Sequence, residues 1–172
     1  MQKKNGNKSF KENKHSEAAS YYRDAVEVLD LVEKDDQSTK DLKIAVHQNL
    51  AMCLNHEGEF VEAIYHCQCA IDISSTSAKA YYIKSQAYSK QQEWAEAITA
   101  MKACIMLQPN DRKLRVELEK LQKENKKANQ SFGEKISSFI TGGIYNEKKT
   151  NLKKQRRKIV HERLPKFNPG HV

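Results

Sequence analysis

The 172 residues suffice for one domain with an extension, and 30 Lys+Arg against 22 Asp+Glu leave a formal charge of +8 that favours acidic partners. A hydrophobic fraction of 38% means that part of the chain buries no face, and three Pro and six Gly are too few turn-formers for an all-β protein. No apolar run approaches the ~18 residues of a membrane span, the first residues lack the apolar stretch of a secretory signal, and four Cys make no disulfide framework, which points to a reducing cytoplasm or nucleus.

In chain order, the pattern predicts helices over about 2–13 and 16–33, then 39–55 and 59–73, then 77–90 and 93–106. The second helix opens with Lys14-His-Ser-Glu-Ala18 and reaches Ala25. Gly58-Glu-Phe60-Val-Glu-Ala63 repeats that frame and reaches Ala70. Gln92-Glu-Trp94-Ala-Glu-Ala97 repeats it again and reaches Cys104. Ala63 and Ala97 are 34 residues apart, whereas Ala18 and Ala63 are 45 apart. The eleven extra residues fall around 31–41, lengthening the two helices there and adding the polar turn Lys34-Asp-Asp-Gln-Ser-Thr39.

The frame has a physical reading. Ala18, Ala63 and Ala97 are small where the second helix of each pair crosses the first. Ala25, Ala70 and Cys104 are small where it meets the next pair. Phe60 and Trp94 fill the turn, and His15 replaces the aromatic in the first copy. Pro109 closes the third pair. A seventh helix starts near 111, capped by Asn110 or Asp111. Its Leu114, Leu118 and Leu121 form a stripe that should cover the open face of the sixth helix.

A 34-residue helix-turn-helix period of this content resembles the tetratricopeptide repeat (TPR). The resemblance implies an all-α, right-handed α-solenoid of three repeats and a capping helix over residues 1–130. Residues 131–172 would be an amphipathic segment and a mobile basic tail. Lys3-Lys-Asn-Gly-Asn7-Lys-Ser-Phe10-Lys, His47-Gln-Asn49-Leu-Ala-Met-Cys53 and Ala78-Lys79-Ala-Tyr-Tyr82 narrow it further. They resemble the TPR domains of the large immunophilins, of the FK506-binding and aryl-hydrocarbon-receptor-interacting types.

That resemblance implies a carboxylate clamp on the concave, first-helix side. Its ligand would be the C-terminal peptide of a 90-kDa or 70-kDa heat-shock chaperone, ending Glu-Glu-Val-Asp. Position by position it falls on Lys3, Asn7, Asn49 and Lys79. The fifth position, where a base is expected, falls on Ile83, and Lys84 beside it is the substitute base. Lysines supply charge and asparagines supply neutral donors to a terminal Asp with its two carboxylates. The implied role is a non-catalytic co-chaperone adaptor, since Met1 already opens the first helix and leaves no room for an isomerase domain. The alternative is a structural TPR scaffold subunit, its groove gripping a protein segment and its tail an acidic surface or RNA.

Other chemistry is weaker. Cys67 and Cys69 with His66 and His56 invite a metal reading, but residues 67 and 69 lie about 200° apart on a helix and cannot share an ion. No metal, no cofactor and no nucleophile paired with a base are expected, and Gly142-Gly143 makes no phosphate loop. Phe132, Ile136, Phe139, Ile140 and Ile144 recur at helical spacing, interrupted by Gly133 and Gly142-Gly143. That stripe and the cluster Lys153-Lys-Gln-Arg-Arg-Lys158 make the tail a candidate for calmodulin, an acidic partner or nuclear import. Residues 164–172 read as an extended terminus. Residues 146–172 hold nine bases and two acids, a net of +7, which leaves 21 bases against 20 acids before them. The repeat domain is therefore nearly neutral, and nucleic acid is not its expected partner.

Overall fold

A computed structural model of the chain describes residues 2–32 and 36–163, the stretch 142–163 by its backbone alone. Every regular element among the described residues is a helix: α1 (Gln2–Lys11), α2 (His15–Asp30), α3 (Gln37–Glu57), α4 (Phe60–Ile73), α5 (Ala78–Lys90), α6 (Trp94–Leu107) and α7 (Arg112–Arg163). The expected helices are present in the expected order. The polar turn is shorter than expected. Lys34 and Asp35 lie outside the described residues, but Gln37, Ser38 and Thr39 already form the first turn of α3. The reason is a cap: the Asp36 carboxylate accepts from the Thr39 N–H at 2.8 Å, which satisfies one of the donors a helix start leaves open.

All three helix pairs turn on one device. Asn13, Gly58 and Gln92 adopt φ of 58°, 87° and 63°. The next residue then reaches back to a carbonyl five positions earlier: Lys14 to Ser9 at 2.9 Å, Glu59 to Leu54 at 2.9 Å and Glu93 to Tyr88 at 3.0 Å. This is the helix-ending motif that closes orphan carbonyls with a left-handed residue. Only Gly58 advertises it, because glycine bears no Cβ penalty there. Asn13 and Gln92 adopt it with a side chain, and the same backbone bond closes the turn after each. His15 does fill the first turn, stacked on His56 at 4.1 Å between centroids with Phe10 edge-on to both.

Each helix from α1 to α6 packs on the next, and α3 also touches α5. Ala18, Ala63 and Ala97 are wholly buried, as close helix crossings require. Tyr22, Leu50, Leu54 and Cys67 form the core of the first two repeats, and Ile83 of α5 joins it. Leu114 and Leu121 are buried with Ala97, Met101 and Cys104, and Leu118 packs against them. The seventh helix therefore covers the third repeat as its leucine stripe predicts. Of the two candidate caps it uses Asp111, which accepts from the Lys113 N–H at 2.8 Å.

Gly6 sets how closely α1 approaches α2. A Cβ there would lie 2.8–3.0 Å from three ring atoms of Tyr22. That ring is buried and has nowhere to go. Gly6→Ala gains roughly 1 kcal/mol of helix propensity but overpacks at a cost of about 1–3 kcal/mol. The expected net is a loss of up to about 2 kcal/mol, read as a lower denaturant midpoint at unchanged slope. An unchanged or raised midpoint would mean that α1 can slide off Tyr22 freely.

Contacts divide the chain into Met1–Asn125 and Lys126–Val172. The second unit differs from expectation. Its backbone is helical without a break through Gly133 and Gly142-Gly143 to Arg163, where an interruption at those glycines was expected. A glycine costs only about 1 kcal/mol in a helix interior, which a long run of good helix formers absorbs. Phe132, Ile136, Phe139 and Ile140 are all exposed. The side chains of the Lys153–Lys158 cluster and all of residues 164–172 lie outside the described residues. Among the described residues no helix is long and apolar enough to cross a membrane.

Candidate functional site

The first helices of the three pairs place their polar residues in one line. α1 brings Asn7, α3 brings Asn49 and α5 brings Lys79. The Lys79 ammonium donates to Asn49 Oδ1 at 2.9 Å. The Asn49 amide donates to Asn7 Oδ1 at 3.2 Å and faces the Tyr22 hydroxyl at 3.4 Å. Tyr22 in turn donates its O–H to Asn7 Oδ1 at 2.6 Å. One network of hydrogen bonds thus ties four helices, α1, α2, α3 and α5, across up to 72 positions in sequence, from Asn7 to Lys79.

The bonding decides what each group can still offer. The Asn7 oxygen is used twice, so its NH2 is the part left to face solvent. The Asn49 amide is engaged at both ends. Lys79 spends one of its three protons on Asn49 and keeps two. Its pKa is lowered, first by partial desolvation of the side chain and then by the nearby charge of Lys3. Lys3 and Lys79 are therefore like charges held near each other with no acid between them in that network, an arrangement that an anion relieves. Burial pushes the Tyr22 phenol up to about 12. It stays protonated and donating at neutral pH.

These groups open on a cavity of about 220 Å³ lined by Asn7, Phe10, Lys11, Tyr22, Asn49 and Lys79, with Met52 at its edge. Met52 also borders a second cavity of about 550 Å³, where Asn55, Gln86, Glu117 and Leu121 meet. The two differ in charge: Lys11 and Lys79 line the first with no acid beside them, whereas the second holds both Lys90 and Glu117, the latter accepting from the Tyr82 hydroxyl at 3.2 Å.

Of the five residues expected at the site, Lys84 does not join it. Its ammonium donates to Gln68 Oε1 on α4 at 2.7 Å and lies 5.8 Å from the centre of the Tyr88 ring. Five residues past Lys79 is about 140° round the helix, so the stem starts on the wrong face. Ile83, where a base was expected, is buried in the core. An aliphatic side chain at that place is drawn between the helices rather than toward the groove. Sequence reasoning missed Tyr22 and Lys11. Tyr22 had a signal: it occupies the register of Cys67 and Met101 in the later copies, so its hydroxyl had to find a partner inside.

Comparison with known proteins agrees with the repeat geometry. Residues 78–111 match the tetratricopeptide repeat family. The chain carries a tetratricopeptide-repeat domain. The C-terminal TPR-containing domain of a Plasmodium falciparum FK506-binding protein superposes with a TM-score of 0.68 at 28% identity, covering 75% of this chain and 89% of that one. The first TPR of Spaghetti (RPAP3), solved bound to the HSP90 peptide SRMEEVD, superposes with a TM-score of 0.60 at 24% identity, covering 71% and 88%. Human peptidyl-prolyl cis-trans isomerase FKBP4 is 27% identical over 120 residues, covering 67% of this chain and 26% of that protein. The chain spans between about a tenth and a third of the length of the curated relatives it matches. This TPR domain is thus of the kind found in co-chaperones and FK506-binding proteins.

Proposed function

We propose that this TPR domain is a non-catalytic adaptor whose groove clamps the acidic C-terminal peptide of a heat-shock chaperone, ending Glu-Glu-Val-Asp. The observation that carries the reading is the Asn7–Asn49–Lys79 chain with Lys3 beside it. Three helices converge on one cavity with two ammonium groups and an outward amide, which suits a terminal residue with two carboxylates. The peptide complex of the Spaghetti (RPAP3) TPR supports it as a precedent on the same fold.

Charge sets the direction of the peptide. Its terminal carboxylates belong in the cavity with Lys11 and Lys79, and its upstream glutamates run toward the second cavity, where Lys90 offers a cation beside Glu117. Each charge-assisted hydrogen bond contributes roughly 1.5–3 kcal/mol. Three or four, less the cost of ordering, reach the about −8 kcal/mol of a micromolar complex.

Titration of the full chain with a Glu-Glu-Val-Asp-ended peptide is the test. Micromolar binding is expected, at least about tenfold weaker when the C-terminal carboxylate is amidated. Lys84→Ala should change affinity less than about twofold, since its head lies on α4. Equal binding of acid and amide would overturn the clamp and leave the groove to an internal protein segment, as in a structural scaffold.

A further inference from the structure

His47 on α3 and His66 on α4 bring their Nδ1 atoms to 3.1 Å, with the rings stacked at 5.3 Å. Cys69 follows His66 by three positions, one turn along α4, so both project from one face. A ligand atom from each of the three lies within 4.8 Å of the other two. None of the three lines either groove cavity. Cys67, which the sequence set beside Cys69, faces the core, and His56 stacks on His15. The residue that completes the cluster is His47, 19 positions before His66, which no local spacing could nominate.

The chemistry of the cluster is that of a metal site. Two imidazole nitrogens 3.1 Å apart cannot both carry a proton toward each other, so at least one lone pair points into the gap. Zinc bonds nitrogen at about 2.0–2.1 Å, so adjacent nitrogens of a tetrahedral site stand about 3.3–3.4 Å apart. The rings are already close to that spacing. Burial lowers both imidazole pKa values, that of His47 to about 4, and keeps the rings neutral as a ligand must be. Behind His66 lies a carboxylate: Glu62 Oε1 is 3.7 Å from its Nε2. Arg23 holds Glu62 through two bonds of 3.2 and 3.0 Å. At 3.7 Å the Glu62 carboxylate makes no hydrogen bond to His66, but its charge favours a proton on Nε2, which leaves Nδ1 to an ion. Asp30 adds negative charge that acts on His47, His66 and Cys69, while Lys43 acts on His47, and Arg23 on His66, in the opposite sense. Cys69 is only partly buried, which gives an ion a way in.

We propose that His47, His66 and Cys69 bind one zinc-class divalent ion, with water as the fourth ligand. Each imidazole donates a neutral nitrogen lone pair. Cys69 donates as the thiolate, and its proton passes to solvent, so one proton leaves per ion and no electron is transferred. A donor set of two imidazole nitrogens and one thiolate sulfur selects borderline ions over calcium or magnesium.

The full chain, freed of metal with a chelator, is titrated with Zn2+ and, as a spectroscopic probe, Co2+. One equivalent is expected to bind, with a sulfur-to-cobalt charge-transfer band, release of one proton, and a melting temperature that rises with zinc concentration. Cys69→Ser lies at a partly exposed position and should keep the fold. It should abolish the band and weaken zinc at least about tenfold, and His47→Gln should weaken zinc to the same degree. Absence of saturable one-equivalent binding, or a cobalt band and zinc affinity unchanged in Cys69→Ser, would overturn the site.

Discussion

Lys79→Glu is expected to weaken capture of a Glu-Glu-Val-Asp-ended peptide by at least about 100-fold. The substitution acts three times. It removes a charge-assisted donor to the peptide, worth roughly 1.5–3 kcal/mol. It sets a carboxylate against the incoming carboxylates. It also takes away the proton that Asn49 Oδ1 accepts at 2.9 Å, leaving the middle of the Asn7–Asn49 chain to rearrange. The fold should survive, because the Lys79 side chain is exposed at the groove. Lys79→Gln, which keeps a donor but no charge, should fall between the two and lose less of its affinity as salt is raised. Fluorescence anisotropy with a labelled peptide reads all three, with circular dichroism as the check on folding. A Lys79→Glu affinity within about threefold of wild type would remove Lys79 from the site.

Alkali is expected to unfold the repeat domain, with stability falling from about pH 9 upward. Cys53 is wholly buried, and burial pushes its thiol from an ordinary 9.0 up to about 12, with Glu57 acting in the same direction. In the unfolded chain the thiol ionises near its ordinary value. Between the two values the folded state holds a proton that the unfolded state has lost, so each rise in pH favours unfolding. The contribution is complete below pH 9 and is withdrawn by about 1.36 kcal/mol per unit above it, or about 2 kcal/mol by pH 10.5. Tyr22, also pushed to about 12 by burial, adds its share above pH 10, and Cys67 behaves as Cys53 does. The diagnostic is therefore a difference. Guanidinium unfolding at pH 8 and pH 10.5 should show wild type losing about 2 kcal/mol more than Cys53→Ala. Parallel losses in the two proteins would show that the thiol is not held protonated by the fold.

The repeat frame was legible because its residues answer to local geometry. Alanine recurs where helices cross, an aromatic or histidine where they turn, and leucine along a capping face. The glycine-marked turn at Gly58 is legible too, but those at Asn13 and Gln92 are not. Neither residue prefers a positive φ over its alternatives strongly enough to announce one as glycine does. The long α7 was misread for the opposite reason. Gly133 and Gly142-Gly143 look like breaks one at a time, yet each costs less than the surrounding helix supplies.

The candidate groove divides the same way. Asn7, Asn49 and Lys79 could be nominated from the sequence, because each stands in a repeat whose register is known. That Asn49 spends its amide inside the protein, that Tyr22 closes the network, and that Lys84 turns away to Gln68 could not. Those outcomes depend on which atoms of α1, α2, α3, α4 and α5 meet across gaps of 15 to 42 residues. The pairing of His47 with His66 is the same kind of fact. By itself the sequence determined the period, the helices and the near-neutral charge of the repeat domain, since these follow from spacing along one chain. Only the tertiary structure decided which polar groups remain free to bind. A hydrogen bond is settled by two partners at about 3 Å, and the second partner is chosen by how the helices pack.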